Sequence, residues 1–400
     1  MSDKEQNTHC CHSQPVQPAH VTSSAGDLAG KYICPMCPGV VSDVPAPCPV
    51  CGMALEPLTP VAAEGDNAEL RDMERRFRLC ALLTLPLVIA LNMSDEADQM
   101  GIEIRHEELA ELFGVPLEVL PQVVASSGVV AETDPQLFGS SVPVAGIAGD
   151  QQAALFGQAC YLPGQSKCTY GTGAFILENI GDRPIPSKHG LLTTVAWQLD
   201  DKTSYALEGS AFIAGAAVQW LRDGMGLIES SGGIEELARQ VQGSDGVVFI
   251  PALTGLGAPH WRSEARGQIT GLTRGTTAAH LARATLEGIA LQIHDLVMAM
   301  TDDRGIPGSI LKVDGGAAEN NLLMQMQADL INRPVSRPET IETTALGAAM
   351  LAGLAIGFWA DTKELAKGWN EEKCFAPHAG DDWRETLLEQ WREAIGRIRG

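Results

Sequence analysis

Short apolar runs that end in glycine turns and lead into helical segments recur along the chain from about residue 107 onwards. The strand-like runs are 142–148, 246–250 and 310–313, and the helical segments are 151–160, 278–300, 321–331 and 381–398. This alternation is typical of α/β or α+β domains, in which helices cover a sheet. It restricts the fold of most of the chain to that class.

The first 106 residues lack this alternation. Residues 1–30 are polar and aperiodic, which predicts a disordered tail, and residues 31–58 form a segment rich in Cys, Pro and Gly. Residues 59–106 are predicted to be a linker followed by a basic helical segment and an apolar run at 79–93. That run is shorter than the roughly 18 residues that a membrane span needs, and Pro86 interrupts it. No complete transmembrane helix is expected.

The charge balance limits the partners of the chain. With 28 Lys and Arg against 50 Asp and Glu, the net charge of -22 repels phosphate backbones, so no nucleic-acid partner is expected. Phosphates would have to be held by backbone N–H groups, helix N-termini or a metal ion. The start of the chain has no apolar segment after a basic stretch, which favours a cytoplasmic location.

Six of the ten cysteines precede position 52, and four of them form two Cys-x-x-Cys pairs. The pairs are Cys34 with Cys37 and Cys48 with Cys51. Four thiolates at this spacing can close a tetrahedral metal site, and the turn after each pair directs backbone N–H groups at the sulfurs. Two redox pairs or chance clustering are the alternatives.

A carboxylate follows the strand-like run 142–148, which has the composition of a buried strand. Asp150 stands between a glycine turn and a helical segment. It is either the N-cap of that helix or a base placed to take a proton from a substrate hydroxyl. The local pattern leaves both interpretations open.

Two further turns are rich in glycine. Gly171-Thr172-Gly173 can bring backbone N–H groups and one hydroxyl to a phosphate, although this sequence is also an ordinary hairpin turn. The pair Gly315-Gly316 follows another strand-like run and precedes Asn320 at the start of a helix. The adenosine half of a nucleotide could lie against that bare backbone.

Residues 150–157, 169–175, 314–330 and 342–350 resemble the C-terminal half of glycerol kinases of the FGGY carbohydrate kinase family. The similarity extends nearly without a break from 107 to 359 and is weaker up to residue 400. It implies a ribonuclease-H-like α/β fold of the actin and sugar-kinase type for residues 107–400. In that family MgATP binds between two such domains.

The resemblance also assigns roles to residues of this sequence. Asp150 corresponds to the catalytic base and Gln151 to a residue that contacts glycerol, together forming the substrate site. The residues that correspond to nucleotide contacts are Thr172 (γ-phosphate), Gly215 and Gln219 (nucleotide), and Gly316 and Asn320 (adenosine). For Gly215 and Gln219, packing within a helix of small residues is the alternative.

The implied reaction is ATP + glycerol to ADP + glycerol 3-phosphate, with Mg²⁺ bridging the phosphates. The resemblance also allows a homo-oligomer. We expect it to be incomplete, because the first 106 residues lack the phosphate loop, the Arg-Glu pair and the Tyr that the family carries in its N-terminal domain. Another FGGY sugar or polyol kinase is the nearest alternative. A non-catalytic metal-binding fusion chain is another, as is a junction of two unrelated genes near residues 92–106.

Residues 32–57 resemble the heavy-metal-binding segment that precedes the membrane domain of copper-transporting P-type ATPases. That family commonly has His where Cys37 stands, so the metal is left open between Zn²⁺ and Cu⁺. The apolar run at 79–93 resembles the entry into the first membrane helix of those pumps. Their phosphorylated Asp motif and ion path have no counterpart in this sequence, which excludes pumping by this chain.

Overall fold

The computed structural model describes residues 114–398 and three short strands nearer the N-terminus. These strands are β1 (Tyr32–Ile33), β2 (Val41–Ser42) and β3 (Glu56–Pro57). They form an antiparallel sheet with β1 in the middle. Cys34, Cys37, Cys48 and Cys51 lie outside the described residues, as do the predicted tail at 1–30 and the segment at 59–106.

Nine strands form the main sheet, in the order β14-β13-β12-β6-β7-β9-β8-β4-β5. Their bounds are β4 Ser127–Glu132, β5 Pro143–Gly146, β6 Ser166–Tyr170, β7 Ala174–Gly181, β8 Leu192–Leu199, β9 Lys202–Ala211, β12 Leu311–Asp314, β13 Val335–Pro338 and β14 Glu371–Phe375. A separate antiparallel pair consists of β10 Val248–Ile250 and β11 Gln268–Thr270.

Nine α-helices surround the sheet in the described part of the chain. They are α1 Pro135–Phe138, α2 Asp150–Gly157, α3 Gly215–Asp223, α4 Gly233–Ala238, α5 Ala278–Arg304, α6 Asn321–Ile331, α7 Thr343–Ala355, α8 Thr362–Lys367 and α9 Asp381–Arg397. Short 3-10 helices span Leu117–Val119 and Gly316–Glu319. Local chemistry explains the bounds of α5, which starts at a reciprocal cap between Thr277 and His280 and ends at Gly305 in the left-handed region.

The two faces of the sheet pack against different helices. Successive strand residues point to opposite faces, so Ile176 joins an apolar cluster with α5, α6 and α9, while Leu177 joins a second cluster with α2, α7 and α8. The result is a three-layer α/β/α arrangement. Within the residues that the structure describes, no helix combines the length and apolarity that crossing a membrane requires.

Strand direction brings four loops together. β5, β6, β9 and β12 all run in the same direction. β6 is parallel to β12, and β7 is antiparallel to both β6 and β9, so β6 and β9 run the same way. β8 is antiparallel to β9. β4 is parallel to β8 and antiparallel to β5, so β5 runs in the same direction as β9. The segments that follow these four strands therefore emerge at one edge of the sheet.

The sequence predicts a buried strand at 142–148. The structure has a strand there, but most of its residues are not buried. The strand there, β5, is shorter and lies at the end of the sheet, where it pairs only with β4. Ala145 is its one buried residue, and the Val144 side chain is exposed. Composition alone did not distinguish a central strand from an edge strand that happens to be apolar.

Candidate active site

One cavity of about 580 Å³ opens at the edge where β6, β9 and β12 end. All five residues predicted to contact the nucleotide line it: Thr172, Gly215, Gln219, Gly316 and Asn320. They come from three segments that are up to 148 positions apart in the sequence. The cavity therefore brings together residues that only the resemblance had grouped.

The hairpin turn between β6 and β7 is joined to the start of α3. The N–H of Ala214 donates to the Thr172 carbonyl at 2.9 Å, and the N–H of Gly215 donates to the Gly171 carbonyl at 3.0 Å. A Cβ on Gly215 would lie 2.6 Å from that carbonyl oxygen, so only glycine permits the approach. Packing thus accounts for part of the role of Gly215, whereas Gln219 is exposed at the cavity.

The segment after β12 combines a tight turn with an open glycine. Gly315 has φ +83° and its Cβ position would be 2.7 Å from the Tyr170 carbonyl oxygen, whereas a Cβ on Gly316 would meet no atom within 4 Å. Asn320 caps α6, its side-chain oxygen accepting the N–H of Leu323 at 2.9 Å. Gly316 therefore presents bare backbone to the cavity, as the sequence predicts.

Asp150 is the first residue of α2, and the N-cap position belongs to Gly149. The N-cap interpretation of Asp150 is therefore wrong. Its carboxylate is exposed and accepts the backbone N–H of Gln151 at 2.8 Å and the Gln151 side-chain amide at 3.2 Å. Asp150 and Gln151 lie outside the cavity lining but follow β5, whose end lies at the same edge of the sheet.

Three charged residues near these groups were missed from the sequence. Glu235 lines the cavity and accepts the N–H of Asn321 at 3.0 Å and the Arg239 guanidinium at 2.7 Å. Glu319 also lines it. Lys167 is fully buried on β6, and a lysine within a strand-like run was the signal that could have identified it.

Burial controls the ionisation of two of the groups near Asp150. It lowers the pKa of Lys167 below the ordinary value, against the opposing effect of Asp314 and other carboxylates. It raises the pKa of Glu208, on β9, against the opposing effect of Lys167. The charge of Asp150 adds to the rise for Glu208.

Residues 166–356 match the model of the C-terminal domain of the FGGY family of carbohydrate kinases. We call this part of the chain the FGGY region, because it is similar to that domain. The match covers β6, β9, β12 and all five cavity residues named above. Residues 31–58 match the heavy metal binding domain, as the Cys-rich segment predicts.

Curated relatives of the FGGY region are glycerol kinases. The enzyme from Desulforamulus reducens is 57% identical over 292 residues, which are 73% of this chain and 58% of that protein. The one from Aromatoleum aromaticum is 56% identical over 74% of this chain and 59% of that protein. The chain thus spans less than two thirds of the length of these relatives.

Solved structures share the fold. The crystal structure of Plasmodium falciparum glycerol kinase with ADP has a TM-score of 0.68 and 35% identity, covering 74% of this chain and 60% of that one. Gluconate kinase from Lactobacillus acidophilus has a TM-score of 0.65 at 23% identity, covering 72% and 60%. The sugar-kinase type of α/β fold predicted from the sequence is confirmed.

Proposed function

We propose that the FGGY region takes part in the transfer of the γ-phosphoryl group of MgATP to glycerol. The observation that supports this most directly is the single cavity lined by Thr172, Gly215, Gln219, Gly316 and Asn320, with Asp150 at the same edge of the sheet. Identities of 53–57% to glycerol kinases favour glycerol over other polyols. Consumption of ATP fits a cytoplasmic location.

In the proposed reaction the adenosine half lies against Gly316 and Asn320, and Thr172 contacts the γ-phosphate. Mg²⁺ would enter as part of the MgATP substrate and would neutralise the charge that develops on the phosphates. Asp150 accepts the proton of a terminal glycerol hydroxyl as the oxygen of that hydroxyl attacks the γ-phosphorus. The bond from that phosphorus to the bridging oxygen breaks, which releases ADP and glycerol 3-phosphate.

The nucleotide part of the proposal is tested by ADP binding to the full chain. Gly316→Arg should abolish or strongly weaken it, because the cavity side of Gly316 is open and the arginine side chain would occupy the place of the nucleotide. Isothermal titration calorimetry measures this. Gly380→Arg is the matched control, since that glycine also has open space around it, has an ordinary negative φ of -67° and does not line the cavity. Equal affinities for all three proteins would refute the site.

The catalytic part needs more than a base. A general base contributes about 10²- to 10⁴-fold, and positioning and electrostatic stabilisation supply most of the rest of the acceleration in phosphoryl transfer. Because this chain matches about 58% of the Desulforamulus reducens enzyme, we expect slow turnover by the chain alone. Adding the separately expressed N-terminal half of that enzyme should raise the production of glycerol 3-phosphate.

Asp150→Asn should abolish the activity of that mixture, because an amide cannot accept the proton. The substitution Glu132→Gln is the control and should leave it unchanged, because Glu132 lies at the exposed end of β4 beside the start of β5, away from Asp150. Turnover by the chain alone at rates normal for a kinase would contradict the need for a complement. Full activity of Asp150→Asn would contradict the assignment of the base.

We also propose that residues 31–58 bind one metal ion through Cys34, Cys37, Cys48 and Cys51. Support comes from the match to the heavy metal binding domain and from the two Cys-x-x-Cys pairs. Four thiolates favour Zn²⁺, and Cu⁺ is the alternative for soft ligands. Elemental analysis should give one metal per chain and none after Cys48→Ser with Cys51→Ser. Retention of the metal by that double variant would refute this ligand set.

A further inference from the structure

A buried lysine lies beneath the start of α2 and has no role in the function proposed so far. Lys167 is opposite Leu177 in the sheet, and Leu177 packs in the apolar cluster with Leu155 of α2. Residues opposite each other in a ladder point to the same face. The Lys167 side chain therefore lies on the face that α2 covers, below Asp150 and Gln151.

The hydrogen bonds of this lysine are unusual for a buried ammonium group, which normally pairs with a carboxylate. Its Nζ donates to Gln151 Oε1 and to Thr169 Oγ1, the latter at 2.9 Å. Both groups that accept hydrogen bonds from Lys167 among the described residues are uncharged. The positive charge is thus directed at the amide next to Asp150.

This contact determines which way the Gln151 amide faces. An ammonium group only donates, so the amide oxygen must face Lys167 and the NH2 group must face the other way. That group donates to Asp150 Oδ2 at 3.2 Å, while the backbone N–H of Gln151 holds Oδ1 at 2.8 Å. Reversing the amide would place its oxygen against the carboxylate oxygen, where two acceptors repel each other.

We infer that Lys167 is a positioning residue, which orients Gln151 and through it fixes the carboxylate of Asp150. This inference rests on the proposed function, in which Asp150 takes the proton and Gln151 contacts glycerol. Burial lowers the pKa of Lys167, because the ammonium form loses its hydration, so keeping that form there costs free energy. A lysine whose only role was to fill space could be replaced by an apolar side chain of similar length without affecting Asp150.

A matched pair of variants separates positioning from packing. Lys312 is opposite Lys167 on the neighbouring strand and is also buried, but its Nζ donates to the Gln158 carbonyl at 2.6 Å and lies over the Trp369 ring. In the complemented assay Lys167→Met should lower kcat about 100-fold, the effect of a small misplacement of a reacting group, with KM for ATP unchanged. Lys312→Met should change kcat less than about twofold, the scale of a variant that leaves the reacting groups in place.

A double-mutant cycle tests whether Lys167 acts through Gln151. If it does, Lys167→Met combined with Gln151→Ala should be no slower than the slower of the two single variants, because the contact is lost only once. Additive losses would overturn the inference, as would a Lys167→Met enzyme with unchanged kcat. Thermal melting of each variant separates unfolding from loss of catalysis.

A second measurement needs neither turnover nor substitution of the buried lysine. In the full chain with ¹³C,¹⁵N-labelled lysine, the Lys167 ammonium resonance, assigned through its side-chain carbons and by its absence from Lys167→Met, should shift in Gln151→Ala. It should not shift in Gln152→Ala, whose amide instead contacts Thr194. An unchanged resonance in Gln151→Ala would refute the contact. If the unmodified protein makes no glycerol 3-phosphate in the mixture, the proposed reaction fails, and this measurement still tests the contact between Lys167 and Gln151.

Discussion

Strands in the middle of the main sheet and strands at one end of it differ in how they are covered. β6, β7 and β9 bury side chains on both faces, and Leu177 and Leu207 are each 0% exposed. β4 and β5 leave most of theirs in solvent, with Val129 56% and Val144 37% exposed. The exposed apolar surface continues onto α1, where Leu137 and Phe138 are also exposed.

The difference separates the two halves of the proposed site. The cavity is built on loops from the fully covered strands, so the apolar core determines its shape. Asp150 follows β5, the strand with the least cover, but α2 behind it packs into the core through Leu155 and Phe156. Changes in the covered region should therefore affect the stability of the whole domain, whereas changes at the exposed end should affect association.

The largest effect is expected in the core under α2. Leu155→Ala should lower the free energy of unfolding by about 2–5 kcal/mol, because it removes buried methyl groups and leaves a cavity. Urea denaturation measures this. Leu137→Ala is the matched control on exposed α1, and it should change the free energy by less than about 0.5 kcal/mol. Similar losses for the two variants would contradict the contrast between the regions.

An intermediate effect is expected where α9 joins the core. Asp295 Oδ2 accepts the Trp391 indole N–H of α9 at 2.8 Å and a bond from His260 Nε2 at 2.9 Å. Burial alone would raise the pKa of Asp295, but the hydrogen bonds from His260, His294 and Trp391 outweigh burial and hold that pKa below its ordinary value. Asp295→Asn should cost about 1–3 kcal/mol at neutral pH.

The sign of the pH dependence follows from the depressed pKa. Asp295 stabilises the fold above its unfolded pKa of about 3.9, and this contribution is lost as the pH falls through the lower folded value. The free energy of unfolding of Asp295→Asn should thus lie furthest below that of the unmodified protein near pH 7. The difference should shrink in strong acid. Thermal melting at a series of pH values measures it. A difference that grew on acidification would show that the pKa is raised instead.

The smallest effect on stability is expected at the exposed end of the sheet. Val129→Thr with Phe138→Ser should change the free energy of unfolding by less than about 0.5 kcal/mol, since both side chains are already in solvent. Exposed apolar patches favour association, so sedimentation velocity should show less self-association of this variant at high concentration. A large loss of stability would mean that this surface is covered in solution.

Elements with strong local signals were predictable from the sequence. α6 spans the predicted 321–331, and α5 begins at the predicted Ala278. The cap residues Asn320 and Thr277 directly precede these helices, and the periodic apolar residues lie within them. The burial of β5 was not predictable, since it depends on which strands lie beside it. The N-cap of α2 was not predictable either, because the choice between Gly149 and Asp150 depends on backbone angles that the sequence does not show.

For the candidate site, the sequence provided the residues and the structure provided their grouping. Glycines 215 and 316 could be named from motifs and the resemblance, but their shared cavity depends on the parallel directions of β6, β9 and β12. Glu235 was not predictable, because it reaches the cavity from α4, a short helix with no motif. Lys167 could have been identified as a charge within a buried strand, but its contact with Gln151 depends on how α2 lies on the sheet.

Glycines let the backbones of α2 and α7 come into contact. A Cβ on Gly347 would lie 1.8 Å from the Ala153 carbonyl oxygen, and one on Gly157 would lie 2.1 Å from that of Thr343. With no side chains between them at these positions, a rotamer change cannot alter the separation of the two helices. We therefore expect a closing movement around a bound nucleotide to carry both helices together, with Asp150 at the start of α2.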